Sequence, residues 1–332
     1  MAWNAITVYL QSWFNYNGVG GTMILLSLVL AIVFGAVWLI GHRPPLLRKP
    51  GLWLTLIASA LITVLLTAFI YKVVEFYYVQ WLGNTFSGAT LNDTVLLWSI
   101  LLVVVIALVQ EGAKLIPMLF WRAGSNKPDV KTWVAIGAIA GAGFGIFEAF
   151  NSLAIIFGSG WTWGAVSAAG FTGLLPVWLC FWTVAYHIGI TAIIGYGMAK
   201  GSGGGYYMLA VLLHAAFAYL NVLVVNGNMS SDLLGVILAI GAAIIIAISY
   251  WLSNRKYSDE PRMATAAQPY PQQQYQQQYP QQQYPQQQYP PQEQYPPQQP
   301  STPPTPPVAP GHKPPPPPAP PRPSGPPPPP SA

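Results

Sequence analysis

Apolar residues in this chain fall into discrete blocks, each long enough to cross a hydrocarbon core, which takes about 20 residues of α-helix. The blocks lie at about 23–41, 52–71, 95–121, 133–158, 174–199, 206–226 and 233–252, separated by short polar or glycine-rich loops. They predict an all-α, polytopic membrane protein with about seven transmembrane helices. No basic stretch precedes the first block and no small-residue cleavage pattern closes it, so it is expected to be a retained span and not a leader. The segment 72–94 (KVVEFYYVQWLGNTFSGATLNDT) is aromatic and weakly polar. It suits an interfacial helix or a lid on the outer face, and equally a plain loop carrying an aromatic belt. After Tyr257 the pattern stops. Tyrosines at 270, 275, 279, 284, 289 and 295 mark a YPQQQ-like repeat that gives way to nearly pure proline. Such a segment cannot bury a core and is expected to be a disordered tail with polyproline II character. Two regions follow: a helical membrane domain, 1–257, and a cytoplasmic Gln/Tyr/Pro-rich tail, 258–332. The run Pro317 to Arg322 (PPAPPR) fits a PxxPxR docking pattern, so a protein that recognises proline-rich segments is a candidate tail partner.

Composition supports the membrane reading. Of 332 residues, 53% are hydrophobic and only 7% charged, against roughly a quarter charged in a soluble domain. The net charge of +5 is spread over loops and tail without an aromatic-laced basic patch, which argues against a nucleic-acid partner. Its distribution carries more information than its size. Arg43, Arg48 and Lys49 lie between spans one and two, Arg122, Lys127 and Lys131 between three and four, Lys200 between five and six, and Arg255, Lys256 and Arg262 after seven. The opposite loops hold Lys72, Glu75, Asp93 and Asp232. By the positive-inside rule the N-terminus is outside and the C-terminus cytoplasmic, in the cell membrane. Cys180 is the single cysteine, so no intramolecular disulfide and no thiol-rich metal site can form. A buried membrane thiol is more often inert than nucleophilic.

Within the predicted spans the ionisable groups are Glu111, Lys114, Glu148, His187 and His214. A charge at the centre of a span costs about 2.5 to 3.5 kcal/mol on insertion scales, so each is a functional candidate with an expected partner. At 1.5 Å rise per residue, the two glutamates and two histidines lie about 12 to 20 Å from the cytoplasmic ends of their spans and can meet near mid-membrane. Each helix places its polar groups on one stripe: Glu111 with Lys114, Glu148 with Asn151, Thr183, His187, Thr191 and Gly195 in series, and His214 with Asn221. Gly137, Gly141 and Gly145 form a doubled GxxxG, expected to serve close helix packing and so to steady Glu148. The plainer alternatives are a neutralised Glu111–Lys114 pair, a protonated Glu148 in an interhelical hydrogen bond, and core histidines. Chemically, two carboxylates and two histidines suit glutamate-activated water with histidine stabilising an oxyanion, or a metal whose bound water attacks. No HExxH spacing is present, and the sequence leaves both versions open, the second with a divalent metal such as zinc.

At these residues the sequence resembles the PrsW-type intramembrane proteases of the CPBP and CAAX-protease-like group. That family's EExxK motif is matched by Glu111 and Lys114 in Gln110-Glu111-Gly112-Ala113-Lys114, with Gln110 replacing the leading glutamate. Its FxxxE motif is met by Phe144 and Glu148, with Asn151 nearby; His187, Gly195 and Tyr196 in YHIGITAIIGYG look like its third motif. The fourth, a histidine followed four residues later by asparagine, is His214 here with Ala218 in the asparagine position and Asn221 one turn beyond. The likeness covers about 95–225. It implies an intramembrane endopeptidase acting on a membrane-anchored protein, such as an anti-sigma or signalling protein. Glu111 and Glu148 would activate water, and His187 and His214 would bind or polarise the scissile carbonyl. Gln110 raises two expectations, that Glu148 takes the larger share or that the chain is an inactive relative. The alternative is a non-catalytic transporter or proton-coupled protein using the same Glu, Lys and His groups as a relay.

Overall fold

The computed structural model describes residues 2–12, 16, 19–123 and 128–257, all helices and connecting turns with no strand among them. In chain order they are α1 (Ala2–Ser12), α2 (Gly21–Leu39) with a 3-10 turn at Ile40–His42, and α3 (Gly51–Leu66), which continues through a π-helical turn at Thr67–Tyr71 into α4 (Lys72–Thr85). Then come α5 (Gly88–Asp93), α6 (Val95–Ala123), α7 (Val130–Gly158), α8 (Trp163–Ala169), α9 (Leu175–Ala199) after a 3-10 turn at Gly170–Leu174, α10 (Gly203–Val225) and α11 (Ser231–Asn254). Seven stretches are long and apolar enough to cross a membrane, which makes this a multi-pass membrane protein. The tail from 258 lies outside the described residues.

Six of the seven predicted spans match within a few residues. The second does not end at 71: the helical stretch Gly51–Thr85 runs for 35 residues. Its continuation begins at Lys72, whose Nζ pairs with Glu75 Oε2 at 2.5 Å one turn on, so the first charges after the apolar block neutralise each other on the helix surface. Hydropathy marks where the apolar block stops, whereas the helix ends only where its hydrogen bonding does. Within 72–94 the structure therefore holds α4 and α5, not an extended loop. The short helices α1 and α8 were not predicted at all.

Helix starts follow ordinary capping. Asp129 accepts a hydrogen bond from the Thr132 amide at 2.7 Å to open α7, and Ser230 accepts from Leu233 at 3.2 Å to open α11. α7 is the centre of the bundle: 78% of its most apolar window is buried, against 17% for α10. Its small residues permit this. A Cβ added at Gly137 or Gly141 would run into the backbone carbonyl oxygens of Thr191 and His187 on α9, and one at Gly143 into that of Leu56 on α3. The close approach to α9 is the packing expected of the doubled GxxxG, and Gly143, outside that motif, brings α3 equally near. Ser59 of α3 adds a hydrogen bond to the Ala140 carbonyl at 2.6 Å. α6 packs instead on α10 and α3. Tyr207 and Tyr219 of α10 donate to the carbonyls of Leu108 and Leu96 at 3.0 and 3.1 Å, and Trp121 of α6 donates to Thr55 at 2.8 Å.

Candidate active site

The five ionisable groups scattered over four predicted spans converge. Glu111 and Lys114, one turn apart on α6, are fully buried, and Lys114 Nζ lies 2.6 Å from Glu111 Oε1. The same oxygen receives His214 Nδ1 of α10 at 2.6 Å. Lys114 Nζ also reaches His187 Nδ1 of α9 at 3.1 Å, and His187 Nε2 meets Glu148 Oε2 of α7 at 2.8 Å. One hydrogen-bonded chain thus runs Glu148, His187, Lys114, Glu111, His214 across four helices.

Donor and acceptor inventories fix the tautomers. A lysine ammonium only donates, so His187 Nδ1 accepts from it and the ring proton resides on Nε2, which donates to Glu148. An ionised Glu111 only accepts, so His214 Nδ1 carries a proton and donates to it. In the neutral ring this leaves His214 Nε2 as a lone pair without a partner among the described residues. Glu111 Oε2 is likewise buried with no hydrogen-bond partner. A bare carboxylate oxygen and a bare imidazole nitrogen on one dyad are where a proton can be taken up or given back.

The supporting residues divide. Phe144 is buried, edge-on to the His187 ring with centroids 5.0 Å apart, and its own centroid is 5.7 Å from Lys114 Nζ. It holds the histidine and contributes a cation–π contact to the lysine. Backbone packing at Gly141 holds His187 from behind. Asn151 sits on the Glu148 side, but its Oδ1 accepts from Tyr16 at 3.3 Å. Asn221 does not join the cluster: it is exposed, and its amide donates to the Phe217 carbonyl of its own helix at 3.2 Å. Gln110 is buried next to Glu111 and makes no hydrogen bond to the network. Tyr186 is a participant that sequence reasoning passed over. Its ring lies 5.3 and 5.9 Å, centroid to centroid, from His187 and His214, and its buried hydroxyl has no partner among the described residues. Its position directly before His187 was the available signal.

Glu111, His187 and His214 each offer a ligand atom within 4.8 Å of one another, a spacing that would suit a metal ion. Lys114 Nζ, at hydrogen-bond distance from both Glu111 Oε1 and His187 Nδ1, already supplies a cation at that point. A divalent ion and an ammonium group repel, and a lysine ammonium has no lone pair to give, so the residues as arranged do not fit a metal. Compared with protein-family models, curated proteins and solved structures, the chain gives no match.

Proposed function

We propose that the protein is an intramembrane endopeptidase that hydrolyses a peptide bond of a membrane-anchored protein with glutamate-activated water. The carrying observation is the Glu111–His214 dyad, with a buried carboxylate oxygen and an imidazole nitrogen both lacking partners, joined through Lys114 and His187 to a second carboxylate. Glu148, whose side chain is 30% exposed, is the carboxylate best placed to take a proton from an incoming water. His187 is spoken for at both ring nitrogens, so it positions Glu148 and is not a free donor. The Tyr186 hydroxyl is the donor left to meet the scissile carbonyl, His214 Nε2 can accept from a substrate N–H, and Glu148 returns to the leaving amine the proton it took from water. The resemblance to PrsW-type proteases points the same way, with Gln110 in place of a glutamate assigning Glu148 the larger share. Basic residues flanking alternate loops support an outside N-terminus and a cytoplasmic C-terminus in the cell membrane.

The test is comparative membrane proteomics of the wild-type chain against Glu148→Gln. The variant accumulates an uncut membrane-anchored precursor and loses its fragments at equal protein level, and a chelator leaves wild-type cleavage unchanged. Identical fragment patterns in the two strains defeat the assignment.

A second reading rests on the unbroken hydrogen-bonded chain itself, which is also the form of a proton relay. Proton flux into dye-loaded vesicles, lost in Glu148→Gln without any change in fragments, would favour that reading.

A further inference from the structure

An open cavity of about 250 Å³ lies where α2 meets the beginning of α9, and none of its lining residues belongs to the ionisable network. Phe34 of α2 forms one wall, and Leu174, Val177, Trp178 and Phe181 form the floor. The floor residues recur at i, i+3, i+4 and i+7, the spacing of one helix face. Its polar atoms are spent elsewhere: Trp178 donates its indole N–H to the Gly235 carbonyl of α11 at 3.2 Å, and the Phe181 carbonyl accepts from Trp38 at 3.0 Å. The lining therefore offers a ligand carbon contacts and no hydrogen bond. An apolar cavity of about 150 Å³ already stays dry and takes up hydrocarbon, so water is not the occupant here. Around the opening, Val33 and Val37 on α2 and Leu233 and Val236 on α11 are exposed. The open side thus continues the apolar surface that a seven-span protein turns to the bilayer.

The size of the groove selects what fits. From Leu174 to Phe181 the chain rises about 10 Å, so the volume amounts to a channel between about 5 and 6 Å across, half the width of a helix with its side chains. That width seats a single hydrocarbon chain and not a helix of another protein. Residues 159–173, which lead into the floor, contain no charged side chain, so nothing there pairs with a charged headgroup. We propose that this groove binds one acyl chain of a membrane phospholipid, entering at the end of the bundle where α9 begins, and that it recognises the chain and not the headgroup. The site requires only that the protein cross a membrane, and it stands apart from the endopeptidase reading.

Photolabelling of the full chain in phosphatidylcholine vesicles tests this, with a phosphatidylcholine probe that carries a diazirine on one acyl chain and adducts mapped by mass spectrometry. The reference positions are Leu97 and Leu101, exposed on α6 at the same end of the bundle. Adducts at Val177 and Phe181 exceed those at the reference positions several-fold. Val177→Leu narrows the channel and lowers the excess, and Val177→Phe fills it and removes the excess. A phosphatidylglycerol probe with the same acyl chain gives the same pattern. If Val177→Phe also changes labelling on α6, that variant has lost its fold and Val177→Leu decides alone. Equal labelling of groove and α6 in the wild type means ordinary bilayer contact only and overturns the site, as does an excess that Val177→Leu leaves untouched. Adducts that depend on the headgroup overturn chain recognition. A photoreactive residue at position 177 that captures protein in place of lipid gives the groove to a partner helix and overturns the proposal as well.

Discussion

The two helix pairs that supply the site are built differently. α7 and α9, which carry Glu148 and His187, meet backbone to backbone, so closely that a Cβ at Gly141 would collide with the His187 carbonyl. α6 and α10, which carry Glu111, Lys114 and His214, are joined through tyrosine hydroxyls reaching carbonyls across the interface. A glycine seam admits little adjustment because its contacts are main chain, whereas a side-chain tether can shift by a rotamer. Lys114 bridges the pairs, bonding Glu111 on its own helix and His187 on the other side. One carboxylate–histidine pair is thus set in a rigid wall, while the other can be drawn toward it through a flexible amine.

The same substitution on each side breaks the comparison most sharply. At Gly141 an added methyl would sit 2.7 Å from the His187 carbonyl carbon and 2.9 Å from the Ile188 Cα, so backbone must move. Gly141→Ala is expected to destabilise by about 1–3 kcal/mol, and Gly141→Leu to abolish folded protein. At Gly112 on α6 the methyl would meet the end of the Tyr207 side chain, its hydroxyl at 3.5 Å and a ring carbon at 4.0 Å, both ordinary contacts. Gly112→Ala should be neutral, or gain up to about 1 kcal/mol from helix propensity. Thermal unfolding in detergent measures both; equal losses at the two glycines would erase the distinction between seam and tether.

The bridge itself comes next. Lys114→Met leaves Glu111 fully buried without its cation, a loss of about 3–5 kcal/mol for a broken buried pair. Lys114→Met combined with Glu111→Gln removes both charges and should recover most of that stability without recovering cleavage. Wild-type stability in the single variant would mean that Glu111 is held protonated and that Lys114 does not bridge the halves electrostatically.

Much of this was legible beforehand because lipid makes polar residues conspicuous. Apolar block length placed the spans, and in helices otherwise free of charge Glu111, Lys114, Glu148, His187 and His214 stood out by their cost alone. Helical spacing then put them on inward stripes, and the structure joins all five. What failed was whatever leaves no hydropathy signal. α4 continues a helix beyond its apolar block, and α1, at 11 residues, is too short for a span and carries no charge. Tyr186 reads as one more aromatic until its hydroxyl is found buried beside two imidazoles. Asn221 lies seven residues from His214, which on a helix of 3.6 residues per turn is nearly the same stripe, yet its amide is spent on the Phe217 carbonyl. Periodicity fixes a direction around the helix axis but not which neighbour lies at that depth.

The smallest effect belongs to the tethers. Tyr207→Phe and Tyr219→Phe each remove one interhelical hydrogen bond while keeping the ring that packs against Val103, Ala107, Val211 and Ala215. Within a bilayer such bonds are worth about 0.6 kcal/mol on average, so unfolding temperatures should barely move, singly or together. Cleavage is the finer readout. Leu108, whose carbonyl Tyr207 holds, is one turn before Glu111, so loosening it lets α6 drift while Glu148 and His187 stay in the glycine seam. A modest fall in kcat with KM unchanged is expected, larger for Tyr207→Phe than for Tyr219→Phe, whose bond lies four turns from the carboxylate at Leu96. Equal losses from both would mean that α6 moves as one rigid rod and that the adjustable half is not local to the site.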